Sequence, residues 1–240
     1  MKLALLSSIH GNLPALEAVD ADIAKQAPDR IICLGDIIGY GAQPRECIAF
    51  VRERGWPTVL GNHEATVHEP SRLESYNPYA KAAGYFTLGA LGKAEREWIR
   101  TLPMSIDING WLMIHASPHQ PQQFHYMLDE ASVRACFDAC ANPLIFIGHA
   151  CVPVVLFDEP NLVFSRESHI TLESSRRAIV NAGSVGQPRD KDPRACWALF
   201  DSDSRILTIR RVDYDQAEAK RRIIEAGLPP RLGERLLGGN

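Results

Sequence analysis

Five short apolar runs in this chain each stop at a side chain that can bind a metal ion or move a proton. Residues 3–6 lead into Ser8, His10, Gly11 and Asn12, and residues 31–34 into Gly35 and Asp36. Residues 58–60 lead into Gly61, Asn62, His63 and Glu64, residues 112–114 into His115, and residues 144–147 into Gly148, His149, Ala150 and Cys151. Short apolar runs bounded by turn residues read as buried strands, and an open α/β sheet builds its ligand site from side chains released at the carboxyl ends of its strands. The pattern predicts such a sheet with a polar edge and points to metal-dependent hydrolytic chemistry.

With 240 residues, 45% of them hydrophobic and 23% charged, the chain can bury one full core. Residues 1–240 are expected to form one unit, with a helix from about residue 215 as an appendage. A formal net charge of −3 offers no basic footprint for a long nucleic acid. The apolar opening is interrupted at once by Ser7, Ser8 and His10 and no stretch approaches membrane-spanning length, so no membrane and a cytoplasmic location are expected. The six cysteines form no Cys-x-x-Cys pair and are expected as thiols in a reducing compartment. Cys33, Cys136 and Cys140 read as packing residues, whereas Cys151 sits in a loop two residues after His149.

Strand and helix alternate over the first two thirds. A helix begins near Leu13, with Asn12 as N-cap, Pro14 in its first turn and Leu13, Leu16, Val19 and Ile23 as its apolar stripe. Pro44 opens a second helix, and residues 58–60 form a third short strand. Residues 79–91 and 93–100 read as helices that roof part of the site. Asn109-Gly110 between residues 105–108 and 111–114 predicts a hairpin, because both central positions of a type I′ turn need positive φ. A helix over 132–141 precedes the 144–147 strand. Beyond Pro153 the pattern turns to strands at 154–157, 162–164, 177–180, 196–200 and 206–212, which suggests a second sheet. A helix over 215–226 follows, and the end after Pro229 is expected to be loosely held.

Asp36, Asn62, His10, His115 and His149 supply carboxylate, amide and imidazole donors, the types that hard and borderline divalent ions take. Each alone reads as a turn, cap or loop residue. Their coincidence at strand ends, beside glycines that let backbone approach closely, favours a shared ion site.

The ordered blocks Ser8-Ile9-His10, Gly35-Asp36, Gly61-Asn62-His63-Glu64, His115 and Gly148-His149-Ala150-Cys151 resemble the calcineurin-like metallophosphoesterase superfamily. Gly39-Tyr40-Gly41 and the stretch Asn181 to Arg189 are similar to its small bacterial phosphodiesterases grouped with diadenosine polyphosphate hydrolases. The resemblance implies an α/β fold, a four-layer αββα sandwich with two mixed β-sheets. It also implies one or two divalent ions (Zn, Fe or Mn) and hydrolysis of small phosphodiesters or nucleotides by attack of a metal-bound hydroxide. One ion would take Asp36, Asn62, His115 and His149, with Asp36 bridging to the other. That other position departs from the family pattern, because Ser8 and Cys151 stand beside His10 where an aspartate and a histidine are usual.

Two readings of the departure stay open: Cys151 ligates as a thiolate, favouring zinc or ferrous iron, or the position is empty or weakly filled. The second leads to an alternative function, a catalytically impaired metal- and phosphate-binding protein of the same fold. Redox sensing through Cys151 is a thinner third reading. His63 is the expected general acid, and Tyr40 and Asn12 are the expected substrate-binding residues. His119, His125 and Tyr126 lie in a loop that could reach a bound phosphate or base, and Arg189 could pair a phosphate, Asp190 or Asp192.

Overall fold

Residues 1–158 and 162–240 are described by the computed structural model. The chain runs β1 (Lys2–Leu6), α1 (Leu13–Gln26), β2 (Arg30–Cys33), α2 (Pro44–Glu53), α3 (Asn62–His68), α4 (Pro78–Ala90), α5 (Lys93–Ile99), β3 (Ser105–Ile108), β4 (Trp111–Ile114) and α6 (Glu130–Asp138). It continues through β5 (Leu144–Ile147), β6 (Val154–Phe157), β7 (Val163–Ser165), β8 (His169–Thr171), β9 (Ala178–Asn181), β10 (Ala195–Asp201), β11 (Ile206–Val212), α7 (Gln216–Glu225) and α8 (Pro230–Glu234). Residues 159–161, between the strands expected at 154–157 and 162–164, lie outside the described ones.

Two mixed sheets form, in the orders β2-β1-β10-β11-β8 and β3-β4-β5-β9-β6-β7. Side-chain alternation along the strands then dictates four layers. Leu3 and Leu5 of β1, Ile32 of β2 and Phe200 of β10 face Trp111, Met113, Leu144, Phe146 and Val180 of the other sheet in one buried cluster. Ala4, Leu6 and Trp197 point the other way, against Leu16, Val19 and Ile23 of α1 and Ile223 of α7. On the far side, Ile114, Ile145, Ile147 and Ile179 meet Val133 and Phe137 of α6. The result is the αββα sandwich.

Local signals explain most elements. Asn12 caps α1 by accepting from the Ala15 N–H at 3.3 Å, and Asn109 and Gly110 adopt φ of 55° and 81° at the hairpin tip, as a type I′ turn requires. Residues 58–60 make only an isolated bridge, Cys33 with Thr58, because the chain turns directly into α3. The strand-rich last third does not form a sheet of its own. β10 pairs antiparallel with β1, whereas β9 lies parallel to β5, so the segment completes both sheets. The end after Pro229 is also anchored: Leu232 of α8 is fully buried and Leu236 nearly so, both in the cluster beneath α1 and α7.

β1 and β2 run parallel in one sheet, and β4, β5 and β9 run parallel in the other. Their carboxyl ends therefore share one edge of the sandwich, where the loops after them meet. Gly186 in the loop after β9 shows how closely: a Cβ there would stand 1.8 Å from the Ile9 carbonyl oxygen in the loop after β1. Gly186→Ala is expected to cost about 3 kcal/mol, lowering Tm in scanning calorimetry by roughly 6–12 °C for a chain of this size.

Candidate metal centre

Six non-glycine residues at this edge, Ser8, His10, Asp36, Tyr40, His149 and Cys151, have φ between 52° and 64°. Left-handed backbone at such residues costs on the order of 1 kcal/mol each and persists only where the surroundings over-determine it. Here a ladder of backbone bonds joins the loops after β1 and β2: Ser8 N–H to Gly35 O at 2.9 Å, His10 N–H to Asp36 O at 2.9 Å and Gly11 N–H to Ile37 O at 2.8 Å. The loop after β9 closes the other side, with the Val185 N–H on Ser7 O at 3.0 Å and the Gly186 N–H on Ser8 O at 2.9 Å. The strain aims side chains at a common point.

Backbone carbonyls fix two of the imidazoles. His115 Nδ1 donates to Leu34 O at 2.6 Å, which turns Nε2 to Asp36 Oδ2 and Asn62 Oδ1, both at 3.2 Å. His10 Nδ1 donates to Ile38 O at 3.1 Å, leaving Nε2 facing Asp36 Oδ2 at 3.8 Å. Such partners select the tautomer that presents a free ring nitrogen to an ion. Asn62 is oriented by a residue the sequence did not single out: its Nδ2 donates to the Tyr76 hydroxyl at 2.6 Å, so Oδ1 faces His149 Nδ1 at 2.9 Å.

Electrostatics follow from burial. Burial works to raise Asp36, but His115, His63 and His10 together hold its carboxyl well below the usual carboxylate range. Burial lowers His10 and His63 against the pull of Asp36, and burial with the neighbouring His115 pushes His149 down to about 3. The shifts favour the ionised form of Asp36 and disfavour the charged forms of His10, His63 and His149. His115 goes the other way: burial opposes its charge, yet Asp36 raises it.

Two sets of donors result, His10 with Asp36 and His63, and Asp36 with His115 and His149, each with donor atoms mutually within 4.8 Å. A cation fits them. His149 Nδ1 and His115 Nε2 both face Asn62 Oδ1, at 2.9 and 3.2 Å, and imidazoles about a shared carboxylate are a binuclear donor set for divalent ions.

This overturns the expectation of an altered metal position. Both sets consist of unaltered histidine and aspartate donors, so neither a Cys151 thiolate site nor an impaired binding protein is supported. The physical reason lies in α3: its first turn brings His63 against Gly39, whose missing Cβ would stand 2.2 Å from His63 Nδ1, and packs the ring beside Tyr40 and Tyr76. Ser8 Oγ instead bonds Ser7 Oγ at 3.2 Å. Cys151 Sγ donates to His149 O at 3.6 Å and lies 3.9 Å from His10 Nε2, outside both sets.

The sequence matches the calcineurin-like phosphoesterase superfamily domain over residues 1–205. The chain belongs to that superfamily. A metallophosphoesterase from Sphaerobacter thermophilus is 36% identical, with a TM-score of 0.88 and full coverage of both chains. An uncharacterized protein of Methanocaldococcus jannaschii is 37% identical over 241 residues, covering 99% of this chain and 98% of its own. A Pyrococcus horikoshii structure, 22% identical over 100% of this chain and 98% of that one, has the same fold at a TM-score of 0.81. Family and donor sets together make the protein a metal-dependent phosphoric ester hydrolase.

In this calcineurin-like phosphoesterase the centre floors a cavity of about 480 Å³. Tyr40, Arg189 and Tyr126, the last stacked on His149 at 3.8 Å, line its walls. So does His125, whereas His119 and Asn12 are not among the lining residues. Asn12 spends its amide on Gly186 O at 3.1 Å and the Tyr214 hydroxyl at 3.3 Å. Arg72 and Tyr76 also line the cavity. They lie in a 3-10 turn over Pro70–Ser75 and just after it, where no periodic pattern marks a site.

Proposed function

We propose that the protein hydrolyses small phosphodiesters or nucleotides, dinucleoside polyphosphates among them, at a two-ion centre. One observation carries the reading: two donor sets sharing Asp36 lie at the floor of a cavity of about 480 Å³, a volume suited to a small molecule. Tyrosine rings on the walls suit a base or other flat leaving group. All set members are nitrogen or oxygen donors, which suits zinc, iron or manganese, and the preference a thiolate would have created is gone. Six free cysteines suit a cytoplasmic setting, and among the described residues no helix is long and apolar enough to cross a membrane.

When bound, divalent ions supply positive charge for the phosphoryl oxygens and make a water acidic enough to act as nucleophile near neutral pH. The chain's own contribution is placement. Asp36 serves both sets, Tyr76 orients the Asn62 amide, backbone carbonyls fix the tautomers of His10 and His115, and Tyr40 and Tyr126 flank the substrate. His63, a buried donor of the His10–Asp36 set, is also the proton carrier in this reading, beside the leaving oxygen.

The test is turnover of bis(p-nitrophenyl) phosphate, p-nitrophenyl phosphate and diadenosine tetraphosphate with manganese, zinc or ferrous iron. No turnover with any pairing would sink the proposal. His63→Ala is expected to lower kcat about a hundred- to ten-thousandfold and, because His63 belongs to one donor set, to reduce ion content by mass spectrometry by one per chain. Full ion content with the same loss of turnover would make His63 a proton donor alone and remove it from the donor set.

A further inference from the structure

The centre described above accounts for the histidines, Asp36 and Asn62, but not for a cation beside them. Arg189 lines the same cavity, and its Nε is buried with no hydrogen-bond partner among the described residues. Its guanidinium carbon lies 5.4 Å from the centroid of the Tyr40 ring. Arg189 is partly buried, and an Nε–H kept from water without a partner is costly, so an arginine lining a cavity in this state marks a place where a ligand completes the bonding.

The acids that could have neutralised Arg189 are engaged elsewhere. Asp190 pairs with Arg211, and Asp192 pairs with Arg194 at 2.6 Å and with Arg211 at 3.7 Å. The other arginine lining the cavity, Arg72, holds Glu69 at 2.8 Å and the Gln122 carbonyl at 3.1 Å. Among the described residues, Arg189 is therefore the cavity-lining arginine without a carboxylate partner.

Its backbone is fixed from both sides. The Arg189 N–H donates to Cys151 O at 3.2 Å, beside His149, and the Gln187 N–H to Ser184 Oγ at 2.8 Å. Ser184 in turn donates to Ser8 O at 2.9 Å. The loop that presents the guanidinium is thus tied to the same two loops that present His10 and His149, and a cation so placed requires little reorganisation when an anion arrives.

We propose that Arg189 is a substrate-binding residue that grips the non-bridging oxygens of a phosphoryl group, with Tyr40 as the surface its guanidinium lies against. The planar fork of a guanidinium matches two phosphoryl oxygens at once, which an ammonium does not. The inference rests on the phosphoesterase reading and deepens it: the substrate presents its anion to a fixed protein cation in addition to the ions.

The experiment uses wild type, Arg189→Met and Arg189→Lys, each loaded with manganese. Binding of inorganic phosphate by calorimetry is measured beside KM and kcat for bis(p-nitrophenyl) phosphate. For Arg189→Met the phosphate Kd and KM are expected to rise about ten- to a hundredfold, with ion content and Tm unchanged and only part of the loss recovered in Arg189→Lys. A phosphate Kd and KM within twofold of wild type in Arg189→Met would overturn the proposal, as would a wild type that binds no phosphate at millimolar concentration. Should Arg189→Met fail to fold, Arg189→Lys decides by the same readouts, wild-type values overturning the idea. A wild type that binds phosphate through Arg189 yet turns over no ester would defeat the hydrolytic reading and leave this one standing.

Discussion

Asp36→Asn is expected to lower kcat/KM about a thousandfold or more and to reduce the ion content of the purified protein from two per chain to at most one. Asp36 is the single member common to both donor sets. Its Oδ2 lies 3.2 Å from His115 Nε2 and 3.8 Å from His10 Nε2, and its Oδ1 accepts from the His63 N–H at 2.9 Å. Asparagine preserves the last bond and the volume, so the α3 entry survives. It removes the negative charge that two cations would share and replaces one oxygen by an N–H₂ that cannot ligate. A thousandfold corresponds to roughly 4 kcal/mol of transition-state stabilisation, the size expected when ion-derived charge is lost from phosphoryl transfer. The measurement pairs steady-state kinetics with elemental analysis. Two retained ions and a loss under tenfold would mean that Asp36 does not join the sites.

How much of this could be read beforehand depended on how local the cause was. The strand ends at Asp36, His115 and His149 were legible because a buried run followed by a polar residue is a local pattern. The hairpin at Asn109-Gly110 was legible because its turn conformation is dictated by two residues. The partition of the later strands was not. β10 pairs with β1, Leu5 against Ala198, and the pattern that shows a residue belongs in a strand says nothing about which sheet receives it. Leu232 and Leu236 looked like parts of a loose end until α1 and α7 supplied the apolar floor beneath them.

The metal position failed for a related reason. Reading Ser8 and Cys151 as the altered members of the second position left His63 with proton transfer alone. His63 reaches the His10–Asp36 pair from the first turn of α3, and what permits this is the open space over Gly39, a contact between separate segments. Arg189 was left open between a phosphate, Asp190 and Asp192 in the same way. Only the placement of Arg211 and Arg194 shows that both acids are taken.

Glu64 offers the sharpest separation of scaffold from chemistry, and Glu64→Ala is expected to destabilise even the ion-free protein by about 4–6 kcal/mol. The Glu64 side chain is fully buried and its carboxylate accepts four backbone N–H groups. Those of Asp36 and Ile37 lie at 2.8 Å, Gly61 at 3.0 Å and Ile38 at 3.1 Å. One side chain thus ties the loop after β2, held at a left-handed Asp36, to the start of α3 with Asn62 and His63. Burial and the neighbouring Asp36 push the Glu64 carboxyl up to about 7, while the Ile38 and Asp36 N–H bonds and His115 pull against that shift. Alanine leaves the donors unpaired, at about 1–3 kcal/mol for each that water cannot reach, and opens a cavity besides. Against a typical total of about 5–15 kcal/mol, that is a large fraction. Glu64→Gln should fall between, since its amide keeps one acceptor oxygen but sets an N–H₂ against backbone donors. Melting of chelator-treated wild type, Glu64→Gln and Glu64→Ala resolves the order. If the alanine variant melts within about 3 °C of wild type, the loop carrying Asp36 is held by the β1 ladder alone and Glu64 does not anchor it.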